Sequence, residues 1–468
     1  MLTRAVWSWI CIVLAGAAVS ACGGGSTSLP KGAVDQPFAS STSSPIQHIV
    51  LMIQENRSFN DLFATFPGVM GTTTGWMLVG KGKHAKKKSV ALTEVNLFSK
   101  TDLNHLYKAF VTAYNHGKMD AFNKIVAQDS GKPEGTKPYQ YVNPAQVQPY
   151  YAMATGYAIA DKMFQTQGGG SFTAHQDLIR GGTELSSTTS MVDDPTSSQA
   201  WGCDSAAGTV TDLITTKLQY EKGAGPFPCT DKFASSLGYR TLRDLLDGAG
   251  VSWKYYVPQF AKSQPGALWN AFDVIYPVRY GSEWGTNVSW PEKNIFNDIS
   301  NGALPAMSWV IPDESNSDHP GYGGDTGPSW VASVVDAIGQ SSYWNSTAII
   351  IVWDDWGGFY DSVSPPKPDN QGGPGSRVPM IVVSPFVLGP SCAGGQIAST
   401  VYEFGSIVRF IEDTWNLGRL GTTDETATSI ANMFNFAQSP CPFQMIPSKY
   451  SRSFFLHQKP SGLPVDTE

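Results

Sequence analysis

Four runs of apolar residues are short, continuous and rich in β-branched side chains: 49–53 (Ile-Val-Leu-Met-Ile), 304–311, 348–353 and 378–383. Unbroken apolarity, without the alternation of a half-exposed strand, predicts strands of a parallel or mixed sheet covered on both faces. Between and after these runs, 330–338 and 402–415 carry apolar residues at helical spacing. Strands alternating with helices predict an α/β chain, a three-layer α/β/α sandwich. No internal repeat or linker-like break interrupts 45–460, so that span is expected to be one large domain with long loops carrying its site.

The polar residues that end these runs carry the candidate chemistry. The first run stops at Glu55-Asn56-Arg57-Ser58, and the third at Asp354-Asp355-Trp356-Gly357-Gly358. Chemistry in open α/β sheets sits beyond the carboxyl ends of strands. A carboxylate beside an amide carbonyl suits a hard cation, as it also suits a polar turn. Two adjacent carboxylates repel unless a cation compensates them. The run 304–311 leads into Asp313-Glu314-Ser315-Asn316-Ser317-Asp318-His319, where His319 is a candidate acid, base or ligand. Gly168-Gly169-Gly170-Ser171 precedes a helical pattern that includes His175. Ser171 either caps that helix or stands as a nucleophile where amides and the helix dipole attract an anion.

The ends of the chain bear on location. Residues 1–21 are a short basic start, an apolar run and small residues, the layout of a secretory signal. With Cys22 directly after, the segment resembles a bacterial lipoprotein signal, which implies cleavage before Cys22 and a lipid anchor on it; an ordinary secretory signal is the alternative. Residues 22–44 are rich in Gly, Ser, Thr and Pro and read as a flexible tether. Export makes disulfides the expected fate of Cys203, Cys229, Cys392 and Cys441. The pairs 203–229 and 392–441 are favoured because each closes a loop within one region.

The 468 residues carry a net charge of −7, which argues against a nucleic-acid partner held by phosphate neutralisation. One basic cluster opposes that trend: Lys81, Lys83, His84, Lys86, Lys87 and Lys88. It steers an anionic substrate, touches an anionic membrane, or is a solvated loop.

Taken together, Glu55-Asn56-Arg57-Ser58-Phe59, Gly117-Lys118-Met119-Asp120-Ala121-Phe122, Gly170-Ser171-Phe172-Thr173-Ala174-His175, Ser317-Asp318-His319-Pro320, Trp353-Asp354-Asp355-Trp356-Gly357-Gly358 and Arg377-Val378-Pro379 stand in a telling order. The chain resembles the phosphoesterase family of bacterial phospholipases C and related acid phosphatases, within the alkaline-phosphatase-like superfamily. The resemblance implies a catalytic domain over 45–460 that hydrolyses phosphate esters or phospholipids. It implies a divalent metal ion held by Glu55, Asn56, Asp354 and Asp355, and Ser171 as the nucleophile that forms a phosphoserine. It also implies that His105, His175 and His319 balance phosphate charge. Arg57 is expected to hold its loop by a salt bridge.

Several positions depart from the family pattern. Asn60 is inserted before Asp61, where many members have Asp directly after the Phe. Gly169-Gly170 replaces a usual Gly-Pro, so a more mobile loop is expected. Ser362 follows Asp361 where many members have histidine, which puts leaving-group protonation in question. The chain ends soon after the matching region, without the β-rich extension of the larger haemolytic members, which points away from that subtype. The alternative to an enzyme is a non-catalytic surface lipoprotein that keeps the fold as a binding module; a set of clustered acids argues against a pure scaffold.

Overall fold

The first apolar run forms strand β1 (His48–Gln54), buried along almost its whole length at the centre of a large sheet. This is a computed structural model, and it describes residues 44–463 except 81, 197–201, 227–228, 231–232, 234–237, 260–265, 322–323, 368–372, 388–391 and 393. The expected signal 1–21, Cys22 and all of the tether but Ser44 lie outside the described residues. From Ser43 onward the chain forms one compact unit.

The other strands of the large sheet are β2 (Ala158–Ala160), β3 (Trp253–Tyr256), β4 (Val288–Ser289), β5 (Met307–Val310), β6 (Thr347–Trp353), β7 (Met380–Val383) and β8 (Gln396–Ala398). Their spatial order is β4-β3-β5-β1-β6-β7-β2-β8. β7 runs antiparallel to both its neighbours, and the remaining pairs are parallel. The expected runs 304–311, 348–353 and 378–383 supply β5, β6 and β7. Pro379 keeps the last strand short, because it has no N–H to give; its carbonyl still accepts from Trp353 N at 3.3 Å.

The helices that cover this sheet are α1 (Gln148–Gly156), α2 (Ser171–Arg180), α3 (Leu242–Gly248), α4 (Asn294–Ser300), α5 (Gly327–Gly339), α6 (Phe404–Trp415) and α7 (Arg452–His457). α1, α4 and α7 each pack on α5, while α2, α3 and α6 pack on one another. These two groups are the outer layers of the expected α/β/α sandwich. The helix expected at 402–415 starts at Phe404, because Tyr402 bridges to Met163 and Glu403 caps the first turn. Glu403 Oε2 accepts from Gly405 N at 2.9 Å, and Ser406 Oγ from Glu403 N at 3.0 Å.

Both disulfides form as expected, Cys203–Cys229 and Cys392–Cys441. Among the described residues, no helix is long and apolar enough to cross a membrane.

Candidate active site

Register places the site. Gln54 and Trp353 are partners at the ends of the parallel neighbours β1 and β6. Each strand's next two residues therefore emerge side by side: Glu55 and Asn56 from one, Asp354 and Asp355 from the other. On the opposite flank of β1, β5 feeds the loop to His319, and Ser317 O accepts from Glu55 N at 2.9 Å. The backbone of Asn56 turns left-handed (φ 55°), a conformation Asn tolerates better than most residues, and its N–H donates to Asp354 Oδ1 at 2.9 Å. Gly357 packs over this turn with φ 58°. A Cβ there would lie 2.1 Å from Asn56 O, so only glycine fits.

Helix α2 brings Ser171 to the same point. Its cap is Gly170, not Ser171, so the hydroxyl is not used in capping. Ser171 Oγ donates to Asp355 Oδ2 at 3.1 Å and lies 3.5 Å from Asn56 Oδ1. One of the helix-start amides expected to face a phosphate is already engaged. Phe172 N donates to Asp194 Oδ1 at 2.8 Å, so a carboxylate of the chain already takes that amide. The Gly-rich turn is also not a loose loop: Gly168, Gly169 and Gly170 are buried, and a Cβ on Gly168 would sit 2.1 Å from the Phe110 ring.

Two of the three expected histidines flank these acids directly. His105 Nδ1 faces Leu103 O at 2.7 Å, while Nε2 lies 2.8 Å from Asn56 Nδ2 and 3.5 Å from Asp355 Oδ2. A neutral ring protonated at Nδ1 satisfies both hydrogen bonds, donating to the carbonyl and accepting from the amide. His175, one turn into α2, places Nε2 3.1 Å from Glu55 Oε1 and 3.9 Å from Asp354 Oδ2. Burial lowers its pKa to about 4, so the ring is neutral at ordinary pH. His319 stands further along the β5 loop, with Nδ1 2.6 Å from Pro320 O and 3.8 Å from Glu314 Oε1. The Trp269 ring neighbours both, with its centroid 6.5 Å from that of His175 and 6.1 Å from that of His319.

The acids are strained electrostatically. Burial first, and then the neighbouring charge of Asp354, pushes Glu55 and Asp355 well above the usual carboxylate range. Glu55, His175 and Asp354 offer ligand atoms within 4.8 Å of one another, all buried. Glu55 Oε2, Asp354 Oδ2 and His175 Nδ1 have no hydrogen-bond partner. Buried oxygens left without donors beside a neutral imidazole fit a divalent cation, which supplies the missing positive charge. The geometry thus divides the expected ligand set: Glu55 and Asp354 join His175, while Asn56 and Asp355 stand at the Ser171 hydroxyl.

The Phosphoesterase family model matches residues 46–418. The chain belongs to the Phosphoesterase family. Among its relatives, the non-hemolytic phospholipase C of Burkholderia pseudomallei is 26% identical over 428 residues, covering 79% of this chain and 55% of that protein. The hemolytic phospholipase C of Pseudomonas aeruginosa is 22% identical, covering 81% and 54%. Phospholipase C B of Mycobacterium tuberculosis is 24% identical, covering 85% and 79%. The chain therefore spans about half the length of the first two of these relatives. A solved protein of the alkaline phosphatase superfamily from Vibrio parahaemolyticus aligns over 84% of the chain and 73% of its own, at 10% identity and a TM-score of 0.35.

In this phosphoesterase chain the remaining motif residues hold the site rather than enter it. Arg57 Nη1 donates to Asp61 Oδ2 at 2.9 Å, Nε to Asp318 O at 2.8 Å and Nη2 to Leu97 O at 2.6 Å, all buried. It ties the first loop to the His319 loop. Asn60, the inserted residue, has its N–H bonded to Asp361 Oδ2 at 3.0 Å and its side chain to Thr72. Asp361 also receives Arg377 Nε on both oxygens, at 3.0 and 3.1 Å, while Ser362 beside it is exposed. Sequence reasoning missed Asp194 and Trp269: Asp194 follows a short strand, Thr189–Val192, outside the large sheet, and Trp269 closes a short turn of helix, so neither follows one of the apolar runs that drew attention. Glu314 was visible as one acid among several in its run.

Proposed function

We propose that the chain is an exported, metal-dependent phosphoric-ester hydrolase of the phospholipase C type, working through a phosphoserine on Ser171. The observation that carries the reading is the Ser171 hydroxyl donating to Asp355 Oδ2 at the ends of two paired strands, beside a buried, under-compensated set of acids. Family membership and relatives named as phospholipases C support the substrate class. The disulfides support export, and the leader with Cys22 supports a lipid anchor at the cell envelope.

Glu55, His175 and Asp354 would hold the cation, with Asn56 and Asp355 at its edge. The cation, when bound, supplies positive charge for the developing negative charge on phosphate and lowers the pKa of the serine hydroxyl. Asp355 orients Ser171 Oγ and takes its proton as the oxygen attacks phosphorus. From Asp355 Oδ2 the proton can pass to His105 Nε2, 3.5 Å away, and from the imidazolium to the departing oxygen. In the second step water attacks the phosphoserine, gives its proton to the same relay and returns the serine. Asn56 Nδ2 holds the neutral His105 ring by donating to Nε2, and lets go when Nε2 takes the proton. Arg57 and Trp269 fix the loops and rings around the reacting groups.

The test is hydrolysis of p-nitrophenyl phosphate and p-nitrophenyl-phosphorylcholine by the purified chain, with and without chelator. Turnover of the diester that is lost on chelation and restored by a divalent cation is expected. Turnover confined to the monoester would make the protein a phosphatase. Hydrolysis of neither substrate in the presence of added cations would favour a binding module.

A further inference from the structure

The basic cluster takes no part in the site, and the structure gives it a specific setting. Thr74–Val79 and Lys86–Ala91 form a two-stranded antiparallel ribbon, with Trp76 opposite Ser89 and Leu78 opposite Lys87. Side chains alternate between its faces. The inner face is packed: a Cβ on Gly75 would lie 2.7 Å from the Tyr360 ring, and Met77 and Val90 pack on the aromatic cluster around it. Backbone bonds fix the ribbon in place. Tyr139 Oη donates to Trp76 O at 2.9 Å, and the Asn123 amide pairs with the N–H and C=O of Leu78 at 3.1 and 2.9 Å.

The outer side is what needs an explanation. Trp76 is 45% exposed there, while Val79, 47% exposed, belongs by register to the face of Gly75 and Met77 at the ribbon's last pair. Lys86, Lys87 and Lys88 are exposed, and the Lys87 ammonium stands 4.7 Å over the Trp76 ring. Residues 81–88 contain five lysines and no acid, in a chain whose net charge is −7. An exposed tryptophan with one lysine over its ring and an exposed lysine on either side of that one in the strand, on a fixed support, has the chemistry of a lipid interface. The indole partitions to the headgroup level, and the ammonium groups meet lipid phosphates.

We propose that this ribbon is a docking element for an anionic lipid surface, with Trp76 and Lys87 entering the interface from the outer face. The long side chains of Lys86 and Lys88, exposed on the other side of the same narrow strand, reach round to its phosphates. Charge complementarity selects the occupant, since the rest of an acidic protein repels such a surface while the ribbon does not. The mount also connects the contact to the site. Phe122 links Tyr360 to Trp356 through ring centroids 4.9 and 5.8 Å apart, and Trp356 Nε1 donates to His105 O at 3.0 Å. The proposal stands on the ribbon alone and does not depend on the chain being a hydrolase.

The test uses Ser43–Glu468, the compact unit that holds both hydrophobic clusters and all eight strands of the large sheet, and so keeps the leader from contributing. Co-sedimentation is measured with vesicles of phosphatidylcholine alone and of phosphatidylcholine with phosphatidylglycerol. Binding to the anionic vesicles only, weakened by salt, is expected. The triple variant Lys86→Gln, Lys87→Gln, Lys88→Gln should bind about tenfold or more weakly, and Trp76→Ala should also lose affinity, each with an unchanged far-ultraviolet spectrum. Equal binding to both vesicle types, or wild-type binding by the triple variant, would overturn the proposal. So would a raised KM for a soluble phosphate ester with unaltered vesicle binding, which assigns the lysines to substrate steering. Binding to RNA without binding to anionic vesicles would also overturn it, by naming a different polyanion.

Discussion

Ser171 Oγ and Asp355 Oδ2 lie 3.1 Å apart, the hydroxyl donating to the carboxylate, with neither residue more than marginally exposed. A serine proton held by a carboxylate whose proton affinity burial has raised is ready to leave the oxygen. Ser171→Ala should abolish hydrolysis, with kcat falling at least about a thousandfold. Asp355→Asn keeps the shape but cannot take the proton, so kcat should fall by about a hundredfold or more. Steady-state kinetics on p-nitrophenyl-phosphorylcholine read both. A Ser171→Ala protein with near wild-type turnover would remove the nucleophile.

The buried acids also give stability a pH dependence. Glu55 and Asp355 have folded-state pKa values well above the usual range, through burial and then Asp354. Without a cation they bind protons more tightly folded than unfolded. Their contribution is therefore full in acid and is lost as pH rises through the folded-state values. Cation binding reverses the sense, because it needs the ionised forms. The Tm of chelated protein should fall as pH rises above the ordinary carboxylate range, and the Tm gain on adding a divalent cation should grow in the same direction. Glu292 and Glu412, each raised to about 8 mainly by burial, tilt both curves alike and drop out of the difference. A gain that is flat with pH would count against these carboxylates as ligands.

The turn before the nucleophile tolerates no side chain at Gly168. With the Phe110 ring 2.1 Å from a Cβ at that position, Gly168→Ala must push the ring or the turn aside. Overpacking of this kind costs about 1–3 kcal/mol, and the displaced turn carries Ser171. Thermal melting and kcat should fall together. Gly131→Ala, at a site with nothing within 4 Å, is the control: it strains a positive φ of 64° but should leave kcat unchanged. A fully active, fully stable Gly168→Ala protein would show that the turn has room to move.

The central strands were legible because their burial is total. A run such as Ile49-Val50-Leu51-Met52-Ile53 has no polar position to confuse its period, and the acids that follow such runs are visible at once. The outer strands β2, β4 and β8 are two or three residues long and pair late in the chain, so no local pattern could announce them. In the site, Glu55, Asn56, Asp354, Asp355 and Ser171 do converge. Their pairing was not legible, since which acid meets His175 and which meets Ser171 depends on strand register and on the position of α2. Asp194 was hidden for a different reason. It reaches the start of α2 from a loop more than twenty residues away in sequence, and occupies one of the amides that the glycine motif suggested for phosphate.

The pair of Arg377 and Asp361 separates a structural from a chemical role at the position where the family pattern breaks. Both side chains are buried. Arg377 spends its other nitrogens on Asp161 O and Met70 O, at 2.8 and 2.9 Å, and its guanidinium lies 4.2 Å from the Phe59 ring. Asp361 in turn accepts from Asn60 N and Val363 N. Nothing in this arrangement is left over for a substrate. Asp361→Ala would strand a guanidinium away from water, a loss of about 3–5 kcal/mol, whereas the exposed Ser362→Ala should change stability by less than about 0.5 kcal/mol. Urea unfolding measures both. If the pair is structural, Asp361→Ala assayed well below its lowered melting temperature should keep KM, and kcat should recover as stabilising cation is added. A loss of kcat that persists in fully folded protein would instead place Asp361 among the groups that act on the ester.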